Sequence, residues 1–153
     1  MIGLEYEMTY AETIEGPLGP TNGAPLGERF CWQISSATLR GPRIDATLAM
    51  RGIDWIRLGP DGIRRQDLRA QLLTDDGELI LFRYDLALIR PSERFLSALA
   101  SGAATEFDDQ YVRIAPQFEV AAGRYAWLTE SLFLGRGRLT GPKAITYELY
   151  RVI

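Results

Sequence analysis

The chain has 153 residues, 46% hydrophobic and 24% charged, a balance that fits one globular domain able to fold without metal or disulfide staples. Its net charge of −3 is dispersed, which argues against nucleic acid as a partner, because such binders cluster basic surface to displace counterions. It contains no histidine, which excludes Ser-His-Asp and Cys-His catalysis and removes the commonest transition-metal ligand.

In chain order, alternation dominates. Leu4, Tyr6, Met8 and Tyr10 share one face of a first strand, with Glu5, Glu7 and Thr9 between them. A Gly- and Pro-rich loop follows from Gly16 to Gly27, long enough to serve as a lid or a slack connection. Arg29–Ser35, Arg43–Met50 and Ile53–Leu58 read as the next three strands, the last two separated by Arg51-Gly52. Gly59-Pro60-Asp61-Gly62 and Asp75-Asp76-Gly77 are hairpin turns flanking a strand over Ile63–Leu73, and Glu78–Leu88 is a sixth. Residues 92–101 form one short helix, with Ser92 as its cap, Phe95, Leu96 and Leu99 on one face, and Gly102 ending it. Strands resume at Tyr111–Ile114, Arg124–Leu134 and Lys143–Val152. The expected architecture is all-β: a single antiparallel β-barrel of about eight strands spanning residues 1–153, since closure removes the edge strands.

The lone Cys31 excludes an intrachain disulfide and fits a reducing compartment. The first residues have neither the basic start nor the apolar run of a signal peptide, and no apolar stretch is long enough to span a membrane. A cytoplasmic location, no membrane partner and no cofactor are the expectations.

Without histidine, proton transfer near neutral pH falls to carboxylates, Tyr or Arg in shifted environments. Asp67, Arg69 and Gln71 share one face of the fifth strand, pointing either into a cavity or out to solvent. Arg83 and Asp85 pose the same choice on the sixth. Tyr125, Trp127 and Thr129 alternate aromatic and hydroxyl groups, as in the wall of a pocket for a flat ligand or in a barrel core. Tyr111, Arg113 and Glu119 mix an aromatic, a cation and a carboxylate in one stretch.

The runs Gly52-Ile53-Asp54-Trp55, Pro60-Asp61-Gly62, Asp67-Leu68-Arg69 and Thr74-Asp75-Asp76-Gly77 resemble the bacterial domain of unknown function 3237 family. So do Tyr111–Glu119 and Tyr125–Gly135, so that the resemblance covers nearly the whole chain in order. It implies a lipocalin-like or allene-oxide-cyclase-like barrel, often self-associating, without an established general activity. Thr129, Ser35-Ser36 and Gln71 depart from the family pattern, which implies a different ligand if they line a pocket. The resemblance also implies that Asp67 and Arg69 face inwards and that Asp54, beside Trp55, lies at the barrel mouth.

The resulting expectation is a cofactor-independent lyase or isomerase acting on a small aromatic or apolar metabolite, by elimination or retro-aldol C–C cleavage. Asp54, Asp67 or Glu119 would act as acid or base, and Arg69 or Arg113 would stabilise the oxyanion. Trp55, Arg83, Tyr111, Arg113, Tyr125, Trp127 and Thr129 would contact the substrate. A non-enzymatic small-molecule binder and a biosynthetic cyclase are the alternatives, and a homodimer is the expected assembly.

Overall fold

Ten strands form one sheet that closes on itself in the computed structural model, which describes residues 1–153. They are β1 (Leu4–Leu18), β2 (Glu28–Gly41), β3 (Ile44–Leu58), β4 (Arg64–Thr74), β5 (Leu79–Tyr84), β6 (Ala87–Arg90), β7 (Tyr111–Ile114), β8 (Gln117–Val120), β9 (Phe133–Gly141) and β10 (Ala144–Val152). The hydrogen-bonded order β3-β2-β1-β10-β9-β7-β6-β4 returns to β3 through a β3–β4 ladder, giving eight staves. Strands β5 and β6 are two halves of one stave: β4 pairs with β6 through Arg64–Arg65 and with β5 through Leu68–Leu73. Strands β7 and β8 divide their stave in the same way. No helix is long and apolar enough to cross a membrane.

Four local readings differ from the sequence expectation, and in the first the single strand expected over Glu78–Leu88 breaks at Asp85-Leu86 into β5 and β6. A bulge between Tyr6 and Met8 reverses the parity of β1, so Leu4 and Tyr6 lie outside while Met8 and Tyr10 point in. The segments around Arg51-Gly52 are one bent strand, β3, whose register with β4 shifts between Leu48 and Ile53. Ala126–Leu128 is a 3-10 turn rather than strand, and β9 begins only at Phe133. The predicted helix is present as α1 (Glu93–Ser101), with the Ser92 hydroxyl accepting the Phe95 N–H at 3.0 Å. Gly102, at φ +77°, ends it in the left-handed conformation.

The barrel is filled unequally along its axis. One half holds a packed aromatic column: Tyr10 on Phe82 (centroids 4.6 Å apart), Phe82 on Phe118 (5.3 Å) and Phe118 on Phe133 (5.3 Å). That end is closed by the 3-10 turn, where Leu128 is buried and the Arg43 guanidinium lies 3.8 Å from the Trp127 ring centroid. Gly137 faces inwards on β9, and a Cβ there would sit 2.6 Å from the Tyr147 ring, so glycine lets this tyrosine lie against the wall. The other end lies under α1 and is not packed solid.

Candidate functional site: an acidic cavity beneath the helix

Inward parity brings polar side chains from five staves together at this second end. Strand β1 supplies Tyr10 and Glu12, β3 Asp54, β4 Arg64 and Gln66, β5 Tyr84 and β10 Tyr147. Apolar walls rise around them from Ile14, Trp32, Ile56, Ile89 and Ile145, and Phe95 and Leu99 of α1 form the roof. With Glu12, Asp54, Arg64 and Gln66 these walls enclose a cavity of about 20 Å³, and the three tyrosines are not among its lining residues. That volume is room for about one water molecule.

The two carboxyl groups sit in this enclosure almost without solvent, Glu12 at 3% exposure and Asp54 at 3%. Asp54 Oδ2 accepts from Gln66 Nε2 at 2.9 Å, and Oδ1 accepts the backbone N–H of Asp67 at 3.2 Å. The same Gln66 amide donates to the Tyr147 hydroxyl at 3.2 Å. Both Glu12 oxygens, the hydroxyls of Tyr10 and Tyr84, and Gln66 Oε1 have no protein hydrogen-bond partner. Buried polar atoms are nearly always paired, so this concentration of unpaired ones marks the region as different from the rest of the barrel.

Electrostatics follow from that geometry. Burial pushes Asp54 up to about 6, against the two hydrogen bonds that favour its charged form. Burial pushes Glu12 further, to about 8, helped by the neighbouring Asp54 and opposed by Tyr10. Burial also raises Tyr10, Tyr84 and Tyr147 above the ordinary phenol value, so all three keep their protons at neutral pH.

Of the residues picked from sequence, Asp54 lies inside this cavity. The inward orientation expected for Asp67 and Arg69 is corrected: both lie on the outer face, 42% and 67% exposed at the side chain and 4.0 Å apart. Their strand buries the opposite set, Leu68, Ala70 and Leu72, and a strand cannot present both sets to one side. Glu119 and Arg83 are exposed on the outer wall, as are Trp55, beside Arg29, and Tyr111, between Arg90 and Arg113. Arg113 is half-buried there, its guanidinium donating to the Val112 carbonyl. Tyr125 is buried at the far end with its hydroxyl donating to Asp76 Oδ1 at 2.8 Å. Trp127 is half-buried at that end, and Thr129 is exposed, its hydroxyl donating to the Ala126 carbonyl. None of these lines the cavity under α1.

Sequence reading missed Glu12, Arg64 and Gln66, although the signal was present. Continuing the β1 alternation beyond Tyr10 places Glu12 between Tyr10 and Ile14 on the buried face. The parity that buries Leu68 likewise carries Gln66 and Arg64 inwards.

Fold and site together define a closed antiparallel β-barrel with an internal, under-satisfied acidic cavity. The chain belongs to the family described as protein of unknown function (DUF3237), whose model matches residues 3–152. A Rhodopseudomonas palustris protein of unknown function is similar in structure at 20% identity, with a TM-score of 0.87 and coverage of 100% of this chain and 99% of that one. A β-barrel-like protein from Acinetobacter baumannii AYE matches at 27% identity and TM-score 0.78, covering 100% and 97%. An enzyme from Penicillium herquei matches at 17% identity and TM-score 0.69, covering 99% and 95%. No curated protein matches the chain.

Proposed function

We propose that the protein is a cofactor-independent acid–base catalyst, a lyase or isomerase, acting on a small aromatic or apolar organic molecule held beneath α1. The observation that carries this reading is the pair of buried carboxyl groups, Glu12 and Asp54, that line one cavity without an ion-pair partner. With Asp54 near 6 and Glu12 near 8, the pair presents one base and one acid at pH 7.

On a ketone, Asp54 removes a proton from the carbon beside the carbonyl. The C–H electron pair becomes the C=C bond, and the carbonyl π pair moves to oxygen, which takes the Glu12 proton. Re-protonation at carbon reverses these roles. In a retro-aldol cleavage the base takes a hydroxyl proton instead, and the breaking C–C bond supplies the same enol. Tyr10 and Tyr84, whose buried hydroxyls have no protein partner, are the donors this reading assigns to the developing oxyanion once the cavity opens. Entry of a ring-sized substrate requires Phe95 and Leu99 to swing outwards, since the resting cavity holds about one water. The likeness to a Penicillium herquei protein described as an enzyme is one of fold, and it is consistent with this use of the barrel.

Seven of the eleven lining residues are hydrophobic, which equally suits a non-enzymatic carrier or a cyclase that works by orientation. The exposed outer leucines Leu86, Leu88 and Leu134 support self-association as part of this reading.

Incubation with acetophenone in D₂O, followed by NMR of the methyl group, tests the proposal. Wild type is expected to catalyse deuterium incorporation, and Asp54→Asn to slow it by about 10²–10⁴-fold while still binding the ketone. Binding by wild type without exchange would make the protein a carrier.

A further inference from the structure

Arg64 lines the same cavity as Glu12 and Asp54. Eight other arginines lie within 3.2 Å of a carboxylate oxygen. Arg64 has no such partner, although it is half-buried, and its aromatic neighbour Phe30 is at 5.9 Å, near the limit of useful cation–π attraction. Burial alone perturbs it, lowering its proton affinity, with no anion acting in the opposite direction. A desolvated guanidinium without a counter-charge is costly.

The resident carboxyl groups do not fill this role. Glu12 keeps its proton at neutral pH, and Asp54 is held by Gln66 and by the Asp67 N–H. The guanidinium therefore offers a planar, multi-donor fork beside the cavity, a geometry suited to a carboxylate. Arg64 is two residues before Gln66 on the same strand face, and Gln66 touches Asp54. Two residues of strand span about 6–7 Å, a separation comparable to that between para substituents on a benzene ring.

We infer that Arg64 is the anion-holding residue of this cavity, and that the ligand class is a small aromatic acid whose carboxylate meets Arg64 while its para substituent faces Asp54 and Glu12. The inference rests on the acid–base reading of the same cavity for the role of the para group, but the anion preference stands apart from it. Trp32 and the isoleucine walls would contact the ring, and the carboxylate would sit against the half-buried Arg64, where desolvation is less complete than at Glu12 and Asp54.

The test compares 4-acetylbenzoate with the neutral 4-acetylbenzamide, by calorimetric titration at pH 7 and by deuterium incorporation into the acetyl methyl group. Wild type is expected to bind the acid at least about tenfold more tightly than the amide. The preference should fall to about threefold or less in Arg64→Met and in Arg64→Gln, two variants that differ in polarity and so guard against a folding defect in either one. Asp54→Asn should keep it. Amide binding as tight as acid binding, or a preference that survives both Arg64 variants, overturns the inference. A preference for the acid without exchange leaves Arg64 as the anion site and overturns the catalytic reading instead. If neither compound binds, both fail.

Discussion

The two ends of the barrel treat their carboxyl groups in opposite ways, one exposed and saturated with donors, the other buried without them. At the end closed by the Ala126–Leu128 turn, Asp76 accepts from the Thr74 hydroxyl at 2.6 Å, the Tyr125 hydroxyl at 2.8 Å and Arg124 at 2.9 Å. Those donors hold its carboxyl below the ordinary range, the Thr74 bond first among them. At the end under α1, Glu12 has no hydrogen-bond partner, and burial drives it the other way. The same chemical group is thus a saturated structural acceptor at one mouth and a high-affinity proton site at the other. A structural network is completed by its own donors, whereas a reactive site leaves valences for something else.

The largest effect that would sharpen this contrast is on stability. Glu12 binds its proton more tightly folded than unfolded, so stability falls as pH rises from its unfolded value, near 4.5, to its folded value, near 8. Glu12→Gln removes that loss. It should leave stability little changed at pH 5 and raise it at pH 9, by on the order of 3 kcal/mol, as read by urea unfolding at the two pH values. Equal effects at both values would show that Glu12 is not the proton site.

Next in size is the pH dependence of the exchange reaction. If one carboxyl must be ionised and the other protonated, the rate is bell-shaped, with limbs near the values of Asp54 and Glu12, about 6 and about 8. Beyond each limb it should drop about tenfold per pH unit. A flat profile between pH 5 and 9 would break the link between the cavity and the chemistry.

The smallest effect compares one substitution at the two ends. Tyr125→Phe removes a satisfied hydrogen bond to Asp76 and should cost about 1 kcal/mol. Tyr84→Phe removes a hydroxyl that has no partner and should be neutral or mildly stabilising. Thermal unfolding of the two variants side by side should give opposite or unequal shifts; matching losses would erase the distinction between the ends.

Much of the barrel was legible in the sequence because period-2 alternation and turn residues report strands directly. The resemblance placed Asp54 at the barrel mouth; it lies deeper, 3% exposed on the cavity wall. Alternation left the face of Asp67 and Arg69 open, and the family resemblance turned them inwards, whereas the apolar parity of Leu68, Ala70 and Leu72 decides the face. The Arg124–Leu134 segment looked like a strand because its aromatics alternate, yet Leu128 is buried by a tight turn that plugs the barrel. No local pattern distinguishes a plug from a stave, since closure is a property of the assembled sheet. Glu12 was lost because the alternation was followed only to Tyr10, although the strand runs on past it and past the expected loop start at Gly16 to Leu18.

The cavity is assembled so that six of the eight staves each contribute one or two of its lining residues, with Glu12 from β1, Trp32 from β2, Asp54 from β3, Gln66 from β4, Ile89 from β6 and Ile145 from β10. The aromatic column that fills the far half is built from other positions on the barrel wall. Selection can therefore exchange one contact at a time without disturbing the ladder or the packed half. A family sharing this barrel can diversify its ligands by single substitutions while inheriting its foldability intact.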